Sequence, residues 1–567
     1  MLLLLAQLAS PPIQPGPARL PAERAPNQQP RLPSQTDSET TPSITLPSDE
    51  PLTPAAEDSS PAGHDTPGSS RTVNIVGDLP YSNGDLSELL ERCSKANDQA
   101  SRLQQCAEAL TGLLQKDGYV NSRVYVEAEP APGQLNVVMG QLVELRIESE
   151  NAGLEQRVRQ RLSPLLNRTL NLPDLQQQLL LLKQRSVVGT VAGSLGKLGS
   201  DPTQAVLNLA VTPAKQPWRG DLSMSNDGNA GSGEWRSVAV LQKPTLLTNG
   251  DVFQFYGELS ADGTPELGTT LGSLSYTYPI SESWTLTGSF GASRRKLVEA
   301  KGAANDLSFR QFQGLAQLQW TFAESSNQTW YASAGLSINR NNSYLDGDSV
   351  PLIIGGGPDG DLTTGYLRLG LGHGGNHGNL GWNAQIYGLQ GIAGLSSQTQ
   401  LEDFSFFGIH PGESRALGGV ASLGWTMQPN LQLNLRASGQ VAFNELTSDM
   451  GFGLGSDVGL RGLPGTLISG DNGWLSTGEL NWTFWQNSKN ALQLVPFMGI
   501  GGIQTTRDSV TLDDTIGTGG LLLRWLRGQH WSVEVGWVDQ FNANDNVGIW
   551  NDWLIGSGAY GKVRYRF

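Results

Sequence analysis

Every one of the 15 tryptophans lies beyond Gln216, in a stretch of alternating apolar and polar residues that runs to an aromatic, Phe567. Leu431, Leu433, Leu435, Ala437, Gly439 and Val441 interleave with Gln432, Asn434, Arg436, Ser438 and Gln440. Trp531, Val533, Val535 and Trp537 interleave with Ser532, Glu534 and Gly536, and Val563, Tyr565 and Phe567 with Lys562, Arg564 and Arg566. Side chains of a strand repeat every two residues, so each run places apolar groups on one face and polar ones on the other. About ten such residues, tilted, cross the hydrocarbon layer of a bilayer, and aromatics gather where that layer meets water. A soluble sandwich also alternates, but it has no need of so many tryptophans near strand ends. The pattern implies a transmembrane β-barrel.

Sixteen alternating segments are predicted, starting near Trp218, Glu234, Asp251, Gly268, Ser283, Phe309, Asn327, Leu362, Gly378, Glu413, Asn430, Gly473, Asn490, Ile516, His530 and Gly558. An even count is the rule for single-chain bacterial barrels. The 70 glycines exceed the usual share and suit a fold with many turns and close strand contacts. After Leu8 no apolar run is long enough for a helical span, and the mean hydropathy is −0.28. The net charge of −15 argues against nucleic acid as a partner, because phosphates would be repelled.

Upstream of the barrel the chain divides into three parts. Residues 1–10 resemble the apolar part of a secretory signal, with Ala9 or Ser10 as a small-residue cleavage site and no preceding basic residue; the expected start of that signal lies upstream of Met1. Residues 11–70 hold 14 of the 31 prolines with many Ser, Thr, Glu and Asp, the composition of an extended linker. From 71 to 215 the pattern β-α-α-β-β occurs twice, in 71–141 and 142–215, each a plausible size for a small α+β module. In the first, a strand at Val73 and Ile75 precedes helical spacing at Leu86, Leu89 and Leu90 and at Leu103, Cys106, Leu110, Leu113 and Leu114. Strands follow at Tyr119–Val126 and Leu135–Val138. In the second, Leu142–Ile147 opens the module, helices lie near Leu154–Leu162 and Asp174–Arg185, and strands near Val187–Ala192 and Val206–Val211 close it. Gly118, Gly133 and Gly140 mark turns.

Cys93 and Cys106 are the only cysteines. They suit either a disulfide in an oxidising compartment or two small buried side chains on adjoining helices. No catalytic constellation emerges. His373 and His377 are four apart but separated by glycines with no Glu between, so they read as loop residues, not a metal site. There is no phosphate-binding loop, and the sequence calls for no metal or other cofactor.

The segment before the twelfth strand is the most specific. It reads Gly459-Leu460-Arg461-Gly462-Leu463, then Ser469-Gly470-Asp471-Asn472-Gly473, then Gly478-Glu479-Leu480. A glycine-rich loop at about 442–472 with one central arginine can fold back as a hairpin, and an arginine directed into a lumen seeks a carboxylate on the barrel wall.

These residues resemble the Omp85 superfamily and, within it, the outer-membrane transporters of two-partner secretion, the haemolysin secretion/activation proteins of ShlB/FhaC/HecB type. The resemblance covers nearly everything from Arg71 to Phe567. It implies two periplasmic POTRA modules and a sixteen-stranded barrel whose sixth outer loop enters the pore with a Val/Ile-Arg-Gly-Tyr/Phe tip, here Leu460-Arg461-Gly462-Leu463. Gly470, Asp471 and Gly473 follow the family's continuation. Asp117-Gly118-Tyr119, Gly133 and Gly140 match landmarks of the first module, and Phe567 matches the barrel-assembly signal. The chain departs from the pattern in three places. Leu463 stands where an aromatic is usual. The family's Phe-x-Asp-x-Gly on the thirteenth strand, whose Asp pairs with the loop arginine, corresponds to Phe497, Gly499 and Gly501, so Arg461 needs another acceptor. The proline-rich tract is ill suited to form the helix that often plugs the pore.

The resemblance implies export of an unfolded partner polypeptide by a monomer in the outer membrane. Its partners are the secreted exoprotein, outer-membrane lipid and, during biogenesis, the barrel-assembly machinery. Arg436, Glu258 and Arg564 are expected in a polar lumen. Insertion of other barrels into the membrane is the alternative within the superfamily; that branch usually has more POTRA modules than the 145 residues of 71–215 can hold. A passive porin would lack such modules.

Overall fold

The computed structural model describes residues 43–45, 73–95, 98–129, 133–183, 187–215, 217–229, 231–262, 267–298, 306–465, 468–507, 510–541 and 553–567. The signal expectation and all of the linker except Ser43–Thr45 lie outside them. Two compact units result, one built from residues of 37–215 and one from 216–567.

The first unit holds two separate sheets, each covered by its own pair of helices. In the first module β2 (Ile75–Val76), α1 (Asn83–Cys93), α2 (Gln99–Lys116), β3 (Arg123–Glu127) and β4 (Gln134–Val138) follow in order after the short strand β1 (Ser43–Thr45). The sheet runs β2-β4-β3, with β2 and β4 parallel and β3 antiparallel at an edge. Leu103, Cys106, Ala107, Leu110 and Leu114 recur at three- and four-residue spacing, so α2 buries one stripe against Leu135 and Val137. Asp98 begins that helix by accepting a hydrogen bond from the Ser101 amide at 2.8 Å. Cys93 and Cys106 join α1 to α2 through a disulfide. The strand expected from Tyr119 starts only at Arg123, because Gly118, Tyr119 and Ser122 close a turn with backbone bonds to the end of α2 and to Tyr119.

The second module comprises β5 (Gln141–Glu148), α3 (Ala152–Leu162), α4 (Leu172–Lys183), β6 (Val188–Leu198) and β7 (Asp201–Pro213). Its sheet runs β1-β6-β7-β5, so the backbone of Ser43–Thr45 lies parallel along β6. Leu142, Leu154, Val158, Leu162, Leu175, Leu179 and Leu207 form its core. Each module thus buries one helical layer on one sheet face.

The second unit is a closed antiparallel barrel of sixteen long strands. They are β8 (Arg219–Ser225), β9 (Trp235–Pro244), β10 (Val252–Ala261), β11 (Leu267–Pro279), β12 (Trp284–Lys296), β13 (Leu307–Glu324), β14 (Gln328–Leu345), β16 (Asp361–His377), β17 (Leu380–Gly391), β18 (Arg415–Gln428), β19 (Leu431–Ala442), β22 (Asn472–Gln486), β23 (Asn490–Arg507), β24 (Val510–Arg527), β25 (Trp531–Phe541) and β26 (Ala559–Arg566). The short β15 (Asp348–Ser349) folds back antiparallel on the end of β14, and β20 (Phe452–Leu454) pairs with β21 (Ile468–Gly470). A further helix, α5 (Gln398–Phe406), lies between β17 and β18. β26 pairs with β8 to close the ring.

Fifteen of the predicted starts fall within two residues of the observed ones. The fourteenth begins at Val510, earlier than the expected Ile516, because Asp513 and Asp514 interrupt the alternation without interrupting the ladder. His373 and His377 belong to β16, not to a loop; His373 faces outward and stacks on Trp330 at 4.0 Å. Trp284, Trp320, Trp330, Trp382, Trp425, Trp482, Trp525 and Trp531 all lie at the rim where β8 begins. That distribution is an aromatic girdle. Leu369, Ile386, Leu417, Leu435, Val441 and Val535 form part of the exposed outer band, while Tyr256, Glu258, Gln313, Asn339 and Gln440 are buried inside.

Candidate functional site: the loop inside the barrel

Residues 443–471 connect β19 to β22. The β20–β21 hairpin forms the stem, and glycines allow the tip to turn sharply. Gly462 has φ +83°, and a Cβ there would lie 2.2 Å from Val538 Cγ1 on β25. The residue after Arg461 must therefore be glycine for the tip to meet the wall.

The tip stands on an apolar patch of inner wall. Leu460 and Leu463 are fully buried, and with Phe452, Leu454 and Ile468 they pack against Leu475, Val495, Phe497, Ile516, Leu522 and Val538. Wall and stem glycines act as sockets. An added Cβ on Gly499 would meet Leu460 Cδ2 at 2.9 Å, on Gly501 Leu454 Cδ2 at 2.7 Å, and on Gly473 the Phe452 ring at 2.2 Å. Gly470 approaches Thr505, whose hydroxyl also accepts a hydrogen bond from the Asp471 amide at 3.0 Å. Leu463, which replaces the usual aromatic, fills its place in this patch.

Arg461 donates from Nη1 to Glu534 Oε2 at 2.6 Å and from Nη2 to Glu479 Oε2 at 2.7 Å. Arg524 completes a square of alternating charge: Nε donates to Glu534 Oε1 at 2.7 Å and Nη2 to Glu479 Oε1 at 3.1 Å. The guanidinium carbon of Arg461 also lies 5.8 Å from the centre of the Phe497 ring. The missing carboxylate at Gly499 is thus replaced by one on β22 and one on β25. Such paired, largely enclosed charges fix a geometry more than they add net stability.

A second ionic contact lies on the other side of the loop and was not anticipated from sequence. Asp457 Oδ1 lies 2.7 Å from Arg236 Nη2 of β9 as an ion pair, and Arg236 also donates to Glu258 of β10 at 2.7 Å. The Gly465 amide bonds the Gly228 carbonyl at 2.9 Å. The loop is therefore tied both to β22–β25 and to β8–β10, across the β26–β8 seam. The even-numbered positions of β9 all face inward, which could have flagged Arg236; nothing in the sequence names Asp457 as its partner.

Beneath the tip a cavity of about 600 Å³ is lined by Arg436, Arg461, Glu479, Arg524, Lys562 and Arg564 among others. Arg436 and Arg564 thus line the lumen as expected, whereas Glu258 is buried in the Arg236 contact. At the seam Asn226 substitutes for a ladder rung, donating to the Ala559 carbonyl at 2.7 Å and accepting from the Gly561 amide at 2.9 Å. Phe567 exchanges two backbone hydrogen bonds with Gly220, and its ring covers that glycine.

The landmarks of the first module converge elsewhere. Asp117 accepts from the Tyr81 hydroxyl at 2.8 Å, and its carbonyl accepts from Asn171 at 3.2 Å. The Gly118 carbonyl accepts from the Leu172 amide at 2.9 Å, and a Cβ on Gly118 would lie 2.5 Å from Pro173. Tyr119 returns its amide to the Leu114 carbonyl. Gly140 leaves room for Asn121, which reaches the Gln141 and Thr203 carbonyls. Asp117, Gly118 and Gly140 thus join the two modules; Gly133 only turns the chain into β4.

Residues 204–520, more than half of the chain, match the family model described as haemolysin secretion/activation protein ShlB/FhaC/HecB. The fold is similar to that of CdiB from Escherichia coli, at 16% identity over 90% of this chain and 93% of that chain, with a TM-score of 0.65. It is also similar to CdiB from Acinetobacter baumannii, at 16% identity over 87% and 89%, with a TM-score of 0.60. A third likeness is BamA from Haemophilus ducreyi lacking POTRA domains 1–3, at 12% identity over 87% and 99%, with a TM-score of 0.50. Comparison with curated protein sequences finds no match. With its closed barrel, inward loop and matching family model, the chain belongs to the ShlB/FhaC/HecB haemolysin secretion/activation family of outer-membrane proteins.

Proposed function

We propose that the protein is the outer-membrane channel of a two-partner secretion pair and passes one partner polypeptide, unfolded, from periplasm to exterior. The observation that carries this reading is the loop tip held on the inner wall by Arg461, Glu479 and Glu534, directly above a lumen lined by charge. A polar, hydrated lumen lets a solvated chain move without adhering.

Residues 71–141 and 142–215 act as two POTRA modules that receive the chain. Strand β3 has a partner on one side only, and Tyr125 and Val126 on it are exposed. An extended substrate can add to such an edge through backbone hydrogen bonds that tolerate many sequences. With no nucleotide-binding loop in the sequence, net movement comes from folding of the exported chain outside. The protein acts as a monomer, performs no catalysis and is itself inserted by the barrel-assembly machinery through a signal ending at Phe567. Family membership favours this reading over insertion of other barrels, since the likeness to BamA concerns the fold alone.

Deleting the gene and comparing culture supernatants by mass spectrometry tests the proposal. One large protein should vanish from the medium while the outer-membrane barrels persist at normal abundance. General loss of those barrels would instead favour the assembly reading.

A further inference from the structure

The outer surface of β12–β14 carries a feature that export does not use. On these three adjacent strands Arg294 lies ten residues beyond Trp284, Arg310 ten before Trp320, and Arg340 ten beyond Trp330. Trp284 and Trp320 are register partners whose rings stack at 5.7 Å. Each arginine shares the outward face of its tryptophan, and all three are exposed. Ten residues of strand tilted at roughly 40° rise about 25 Å, the height of the apolar band of a membrane barrel. Leu286, Phe290, Phe312 and Ile338 occupy the interval on the same face. The arginines therefore share the upper edge of the band, at the level of lipid headgroups in the outer leaflet.

Arg294 and Arg310 are directly opposed across β12 and β13. Like charges so placed repel. Arg340 has its own carboxylate, Asp361 at 2.9 Å, and the neighbouring Lys296 has Asp306 at 3.2 Å. Arg310 lies over the Tyr344 ring at 4.8 Å, a contact that leaves its charge uncompensated. Among the described residues neither Arg294 nor Arg310 forms an ion pair. This concentration of positive charge stands on a chain whose net charge is −15.

We propose that Arg294 and Arg310, flanked by Lys296 and Arg340, bind the phosphate groups of a phosphorylated glycolipid in the outer leaflet. Guanidinium groups match phosphate oxygens in a fork geometry, and a shared anion removes the repulsion between the two cations. Phe290 and Phe312, immediately below, offer an apolar surface to the acyl chains of the same molecule. That continuity assigns the site to a lipid and not to free phosphate. The inference rests on the outer-membrane barrel, not on the export reading, so either can fail alone.

The test is binding of bisphosphorylated lipid A to the full chain in zwitterionic detergent, followed by native mass spectrometry. Dephosphorylated lipid A and inorganic phosphate serve as comparison probes. The double variant Arg294→Gln/Arg310→Gln should bind the phosphorylated lipid about 30-fold more weakly, as expected for loss of two interfacial charges. Its barrel integrity is read from heat-modifiable migration. Equal binding by the double variant, or equal binding of dephosphorylated lipid A, overturns the proposal. Complete displacement of lipid A by millimolar inorganic phosphate overturns the assignment to lipid.

Discussion

Leu460 occupies the space that a side chain on Gly499 would need: an added Cβ would stand 2.9 Å from Leu460 Cδ2 and 3.1 Å from Thr477 Cγ2. Loop and wall are therefore fitted as a pair. The absent carboxylate at position 499 goes with a leucine at the tip and with Glu534 on β25. Gly499→Asp, which restores the family's usual residue, should weaken loop docking by about 1–3 kcal/mol through overpacking. Hydrogen exchange across residues 455–465 checks this, and Leu460→Ala in the same chain should recover part of the loss.

Asp457 and Arg236 tie the opposite side of the loop, with side-chain exposures of 14% and 8%. Asp457→Asn removes one charge of an enclosed pair while leaving Arg236 its contact with Glu258. Loop docking should weaken by about 2 kcal/mol. In planar bilayers the variant should show more frequent open-channel events than wild type, and unaltered conductance would mean that this contact does not restrain the loop.

The module junction depends on Gly118, whose φ of +93° and proximity to Pro173 exclude a side chain. Gly118→Ala should cost about 1–3 kcal/mol from backbone strain and contact. Limited proteolysis of the full protein should then cut faster near residues 139–141, with the barrel unaffected.

The disulfide between Cys93 and Cys106 closes a loop of 13 residues between the two helices of the first module. Cys93→Ser/Cys106→Ser should destabilise that module by roughly 3 kcal/mol on the chain-entropy account. Faster trypsin cleavage within residues 98–129 is the expected readout, and equal cleavage rates would contradict it.

Much of this architecture was legible in sequence because strand period and turn spacing are local properties. The alternation at 431–441 marks β19 almost to the residue. At β24 Asp513 and Asp514 break the apolar pattern, while hydrogen-bonded pairing continues through them. His373 looked like a loop residue because glycines surround it, yet those glycines lie within a strand whose neighbours supply the packing. The position of Arg461 was also legible, from its motif. Its partners were not: Glu479 and Glu534, with Arg524 bridging them, come from three strands, and only closure of the barrel brings them together. The apolar inner patch likewise exists only once the barrel closes. Inward apolar residues of β22–β25 look out of place until Leu460 and Leu463 are set against them.

The most direct measurement is export by a strain lacking the gene and complemented with wild type or Arg461→Ala, with barrel insertion followed by heat-modifiable migration. Loss of Arg461 leaves Glu479 and Glu534 facing Arg524 alone, so the tip should no longer hold its place. The account predicts normal insertion together with at least a roughly tenfold loss of the secreted partner, the effect of about 1.4 kcal/mol. Undiminished secretion by an inserted Arg461→Ala barrel would contradict it.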